Sequence, residues 1–167
     1  LIVGWLHLSG QRHRKLVRAH ARLTAPVRQI AWGDWTRQGL PFYAGNVTYR
    51  ATVRAVGEAL TLEAAHFRAP LLTLDLDSQR LGTVAFAPYQ VELPDLTPGL
   101  HHLDLTAYGS RVNAFGPLHN ANPDERWFGP SAWRTQGAHW ADEYQLKPAG
   151  ILVAPRLLAR ARHRVTR

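Results

Sequence analysis

From residue 46 to residue 109, apolar and polar side chains alternate in short runs, and Gly, Pro or small polar clusters end each run. Val47, Tyr49, Ala51 and Val53 interleave with Thr48, Arg50, Thr52 and Arg54. This is the period-2 pattern of a strand with one face in a core. Gly57-Glu58 predicts a turn, and Leu60 and Leu62 begin a second alternating run that extends to Phe67. After Pro70, Leu72, Leu74 and Leu76 alternate with Thr73, Asp75 and Asp77. Asp77-Ser78-Gln79-Arg80 reads as a polar tight turn, with residues 81–87 as its hairpin partner. Residues 89–93 form a short strand and Pro94-Asp95-Leu96-Thr97-Pro98-Gly99 a punctuated loop. Residues 100–108 close the series, with Leu103, Leu105 and Ala107 on one face. Many short strands divided by Gly and Pro turns predict an all-β fold, an antiparallel β-sandwich.

The flanks are less regular. Residues 11–22 suit either a short helix or strand and loop, and residues 156–163 suit a helix. Residues 109–148 are broken by Gly116-Pro117, Asn122-Pro123 and Gly129-Pro130. They hold Asn113, Phe115, His119, Asn120, Asn122, Trp127, Trp133, His139, Trp140, Asp142, Glu143 and Tyr144. Long aromatic-rich loops are uncommon unless they function or cover a core edge. A second such stretch, residues 33–50, puts Trp35, Phe42 and Tyr43 among glycines and polar side chains before the first strand.

The chain of 167 residues suits one domain, residues 1–167 with a core at about 20–155. It begins without Met or a signal-peptide pattern and reads as a piece of a longer protein, so its compartment stays open. No apolar run reaches the length of a membrane span. The absence of Cys excludes disulfides, thiolate metal sites and a Cys nucleophile. The net charge of +8 belongs to the ends. Residues 1–28 and 147–167 each carry six basic residues and no acid, which leaves the central body at a net of −4. That distribution argues against a nucleic-acid surface on the body.

The six Trp carry the case for binding. An aromatic face stacks on the C–H face of a sugar, and amide, carboxylate or imidazole neighbours orient its hydroxyls. The carbohydrate-binding candidates are Trp35, Gln38, Tyr43, Trp127, Trp133, His139, Trp140 and Asp142. Trp32 and Trp35 cannot face the same side of an extended segment, so one of them is expected in the core. Glycoside hydrolysis needs two carboxylates about 5–9 Å apart. Asp142 and Glu143 are adjacent and would point to opposite faces of a strand. A partner for either would have to come from Asp34, Asp75, Asp77 or Asp124. Catalysis within the chain is therefore not expected. The His residues match no HExxH or comparable zinc spacing, and no phosphate loop or nucleophile elbow is present.

The order of segments resembles the non-catalytic, galactose-binding-like jelly-roll domains of bacterial glycoside hydrolases. The resemblance rests on Tyr49-Arg50-Ala51-Thr52-Val53, on residues 74–82, and on the pair at 86–93 and 96–105. Residues 33–49, 113–119 and 140–146 resemble the C-terminal domains of large bacterial glycosyl hydrolase-like proteins. The family's usual Asn-Gly hairpin turn is Ser78-Gln79 here. The resemblance implies a carbohydrate-binding or accessory domain that partners a sugar and the catalytic and other domains of its parent. A purely structural domain packed on the catalytic one is the alternative. Such jelly rolls often carry a structural calcium, for which Asn120, Asn122, Asp124 and Glu125 are the ligand candidates.

Overall fold

Alternation along the central residues builds one continuous sheet. In the computed structural model, which describes residues 25–122, 125 and 127–159, β1 (Val47–Ala55) pairs antiparallel with β7 (Gly99–Ala107). β7 pairs with β4 (Leu72–Leu76), and β4 with β5 (Gln79–Val84), in the order β1-β7-β4-β5. The register sets Leu72, Leu74 and Leu76 opposite Ala107, Leu105 and Leu103, all buried. Each of these leucines withdrawn from water contributes about 1.5–3 kcal/mol. On the other face Thr48 and Thr106 share a 2.8 Å hydroxyl contact, and the pairs Arg50–Asp104 and Arg80–Asp75 follow.

The second sheet has the order β6-β2-β9, from β2 (Leu60–Glu63), β6 (Gln90–Glu92) and β9 (Arg156–Ala159). Leu60, Leu62 and Leu93 join the leucines of the first sheet in one core, so the all-β antiparallel sandwich expected from the pattern is present. Glu63 ties the three strands together by accepting from Arg156 and Gln90, and the Arg156 bond, then that from Gln90, holds its carboxyl below the ordinary range. A two-stranded ladder of β3 (Phe67–Arg68) and β8 (Gly150–Ile151) completes the strands. The one α-helix among the described residues, α1 (Val112–Phe115), is a single turn.

Four local expectations need correction. The hairpin turn is Asp77-Ser78, not Ser78-Gln79, because both residues have positive φ (46° and 72°) and Gln79 already pairs with Leu76. Two successive left-handed residues match the right-handed twist of a two-residue hairpin, and Asp tolerates that conformation. The run 60–67 is two strands, since β2 and β3 find partners in different ladders. The helix expected at 156–163 is strand β9 where it is described, because the open edge of β2 outweighs the helix propensity of Leu and Ala. The remainder of that segment, and the helix suggested for 11–22, lie outside the described residues. Finally, Ala51 is exposed although its alternation put it on the inner face.

The Asp77 turn is clasped to the loop before β7. His101 Nδ1 lies 2.7 Å from the Asp77 carboxylate, and Nε2 lies 2.9 Å from the Thr97 carbonyl oxygen. Both neighbours are acceptors, so only the imidazolium donates to both. Asp77, and then the Thr97 carbonyl, raise the His101 pKa above its ordinary value. The backbone N–H of His102, and then His101, lower that of Asp77. A raised histidine stabilises fully below its unfolded pKa, and a depressed carboxyl stabilises fully above its own. The clasp should be complete between about pH 4 and about pH 6.5. It weakens as pH rises through the folded His101 pKa, and again as pH falls through that of Asp77. Thermal midpoints measured across pH 3–9 should show the alkaline decline in the native chain and not in His101→Gln. Superimposable profiles would remove the clasp from the account.

Candidate functional site

A short polar turn decides which tryptophan faces solvent. Asp34 caps the 3-10 helix Trp35–Gln38: its Oδ1 accepts from the Thr36 N–H (3.0 Å), the Thr36 hydroxyl (2.7 Å) and the Ala149 N–H (3.1 Å). Gly33 N–H and Trp35 N–H donate to the carbonyls of Ile151 (2.8 Å) and Ala149 (3.0 Å). Gly39, at φ 88°, ends the turn in the left-handed region that glycine favours. The turn is thereby sewn to β8, and Trp35 is driven into the core at 1% exposure. Trp32 falls outside, stacked flat on Tyr49 at 4.7 Å and 10°, and stays 39% exposed.

Residues 25–32, the turn and the first half of β1 enclose an open trough of about 1400 Å³. Trp32, Tyr43, Asn46, Thr48 and Arg50 contribute to its lining, and so does Gln38. Gln38 has a structural task there: its Oε1 accepts from the Ala31 N–H (2.7 Å), and its Nε2 donates back to the Ala31 carbonyl (3.2 Å). That pair holds the strand-like approach to Trp32. Tyr43 packs edge-on to Trp35 at 6.2 Å and donates its hydroxyl to the Asn46 carbonyl (3.1 Å). Of the sequence candidates, Gln38 and Tyr43 therefore meet at this trough, and Trp35 supports it from beneath. Trp32, Asn46, Thr48 and Arg50 were not among the candidates. The signal for Trp32 was the Asp34 to Gly39 cap pair, which places Trp35 in a helical turn and not in an extended run.

The remaining candidates lie in the loops 118–145. Ala141 N–H donates to the His119 carbonyl and Ala121 N–H to the His139 carbonyl, both at 2.8 Å, around the Asn120–Trp140 bridge. The His119 ring stacks on Trp140 (5.3 Å, 20°), and its Nδ1 sits 2.8 Å from the Ala141 carbonyl. Tyr144 contacts the same ring at 5.1 Å and meets Phe42 edge-on at 5.2 Å. An aromatic ladder thus joins these loops to the 33–50 stretch. Trp140 is half-buried in it, whereas Trp127 (88% exposed), Trp133, His139 and Asp142 are exposed.

Asp142 and Glu143 occupy a bend and not a strand, and both are exposed. The carboxylates considered as their partners have other roles: Asp34 caps the turn, Asp75 pairs with Arg80, and Asp77 holds His101. At the calcium candidates, Asn120 Nδ2 donates to the Glu125 carboxylate, and Asn120 Oδ1 accepts from the Asn122 N–H. Asp124 lies outside the described residues. Among the described residues no group of three or more metal-ligating side chains converges, and no helix is long and apolar enough to cross a membrane.

No protein-family model and no curated protein matches the chain. A solved structure shares its fold. A segment of a rhamnosidase from Novosphingobium sp. PP1Y aligns with a TM-score of 0.50 and 18% identity, over 82% of this chain and 13% of that one. A GH2 beta-galacturonidase from Eisenbergiella tayi aligns with a TM-score of 0.41 and 25% identity in two structures. The structure bound to galacturonate is matched over 62% of this chain and 18% of that chain, and the structure bound to glycerol over 70% and 19%. The chain thus spans less than a fifth of each of these proteins.

Proposed function

We propose that this chain is a non-catalytic accessory domain of a larger glycoside hydrolase and that it holds carbohydrate in the trough beside β1. The observation that carries the reading is the Trp32 ring, backed flat by Tyr49 and open at the wall of a trough with hydroxyl, amide and guanidinium groups. A rigidly backed aromatic face offers a sugar ring a large apolar contact at little conformational cost, and the polar rim orients hydroxyls. The accessory role is supported by the fold shared with a small segment of a rhamnosidase. In this reading the sandwich has galactose-binding-like jelly-roll topology, and the catalytic carboxylates belong to the parent enzyme. Trp127 and Phe115, 88% and 73% exposed, favour a second reading in which these loops pack on another domain of that parent.

Affinity electrophoresis of the chain through gels containing a panel of neutral and acidic polysaccharides tests the proposal. At least one polysaccharide should retard the chain. Trp32→Ala should weaken that interaction about tenfold, equivalent to about 1.4 kcal/mol. Phe86→Ala, on a distant exposed loop, should leave it unchanged. Uniform mobility across the panel would end the carbohydrate reading. Loss confined to Trp127→Ala and Trp133→Ala would move the site to the loops.

A further inference from the structure

The main chain on one wall of the trough carries as much chemistry as its side chains. β1 is an edge strand: among the described residues it pairs with β7 alone, over Val47–Ala55, without a bulge or a proline. Tyr108 N–H donates to the Leu71 carbonyl (3.1 Å) and Asp77 N–H to the His102 carbonyl (2.9 Å). The even-numbered residues of β7 therefore turn their backbone groups toward β4, and the odd-numbered ones toward β1. The register sets those odd residues opposite Val47, Tyr49, Ala51, Val53 and Ala55. The even residues of β1 thus direct their N–H and C=O away from the sheet, at its open edge. Asn46 shows where that edge faces: its carbonyl accepts from the Tyr43 hydroxyl (3.1 Å), and both residues line the trough. Thr48 and Arg50 line it as well. Arg50 sends its side chain to Asp104 on the outer face, so it meets the trough through its main chain. Among the described residues no hydrogen bond uses the outward N–H or C=O of Thr48 or Arg50. The facing wall is fixed in place. Val27 lies so close to Gly39 that a Cβ added there would stand 2.7 Å from its Cγ2, Gln38 is bonded to Ala31, and Trp32 rests on Tyr49.

Resting on the carbohydrate reading above, we infer that the trough takes an internal stretch of a linear polysaccharide, with one ring on Trp32 and neighbouring hydroxyls on the backbone N–H and C=O of Thr48 and Arg50. Outward groups on a strand edge repeat about every 7 Å and offer a donor and an acceptor each time. A sugar hydroxyl both donates and accepts, so it satisfies either one. The volume of about 1400 Å³ exceeds the roughly 300–1,000 Å³ that encloses one small molecule, which leaves room for several rings. A peptide strand would lie about 4.8 Å from β1 and leave most of that volume empty.

Isothermal titration with the mono-, di- and hexasaccharides of three β-1,4-linked series, cellulose, mannan and xylan, tests this. At least one hexasaccharide should bind about tenfold or more tighter than its disaccharide. Converting that hexamer to its methyl glycoside should leave the affinity unchanged, because no chain end is read. Arg50→Pro should weaken the hexamer about tenfold, since it deletes an outward N–H and spares the bonds to β7. Arg50→Gln, which keeps that N–H, should bind as the native chain does. In the native chain, amide hydrogen exchange at Thr48 and Arg50 should slow on adding the hexamer, with Ala51 unchanged, and this reading does not depend on how well Arg50→Pro folds. Equal affinity for the disaccharide and the hexamer would overturn the inference and leave the carbohydrate reading standing. Equal losses in Arg50→Pro and Arg50→Gln, or unaltered exchange at Thr48 and Arg50, would overturn main-chain recognition. Tighter binding of an alternating valine-threonine hexapeptide would assign the edge to a polypeptide and overturn the inference. Silence from all three hexamers would overturn it as well, and retardation by any polysaccharide in the gels would still separate that failure from failure of the carbohydrate reading.

Discussion

Trp35→Ala should lower the unfolding free energy by about 3–5 kcal/mol, the range for removing a large buried aromatic. The ring is 1% exposed within the core that also holds Leu72, Leu74 and Leu105. The 3-10 turn that carries it has few contacts of its own to relax into the void, because Asp34 and two backbone bonds pin it to the 149–151 segment. Tyr43 would also lose its edge-on partner, so the trough should loosen with the core. Urea titration followed by far-UV circular dichroism measures the change as a shift in midpoint at constant slope. Trp32→Ala is the informative contrast, because its ring is partly exposed and its loss should cost far less stability. A loss below about 1 kcal/mol for Trp35→Ala would show that the core does not depend on this ring.

Gly150→Ala is the second large effect. Gly150 has φ 100°, where an L side chain is strained, and an added Cβ would stand 2.9 Å from Trp35 Cε3 and 3.1 Å from the Tyr49 hydroxyl oxygen. The backbone contribution is about 1–2 kcal/mol and overpacking adds about 1–3 kcal/mol, so about 2–5 kcal/mol is expected. The steric share depends on the indole. In a Trp35→Leu background Gly150→Ala should cost measurably less, because the indole clash is gone and only the backbone contribution and the milder contact with the Tyr49 hydroxyl remain. A double-mutant cycle by chemical denaturation reads this coupling. Strict additivity would mean that the two residues do not oppose one another.

The sandwich was legible where one face of a strand is buried. Leu72, Leu74 and Leu76, and Leu103, Leu105 and Ala107, alternate because a sheet has period two and only one side faces the core. Partner choice was less accessible. Nothing local at residues 60–67 says that Glu63 ends one strand and Phe67 starts another in a different ladder. Residues 156–159 carry helix-compatible side chains, and only the vacant edge of β2 makes them a strand. At the site, the aromatic richness of residues 33–50 pointed to the right region. The choice between Trp32 and Trp35 depended on a four-residue turn closed by Asp34 and Gly39. The trough wall formed by residues 25–32 depends on where that segment crosses β1, which no local pattern encodes.

The central claim is that the Trp32 face of the trough meets carbohydrate. Its most direct test is to follow the indole N–H resonances of the six tryptophans by NMR while an oligosaccharide that retards the chain in gels is added. The account predicts that the Trp32 signal shifts saturably, with Trp35 moving little and Trp127 and Trp133 unmoved. Saturable shifts at Trp127 and Trp133 with a stationary Trp32 would contradict it.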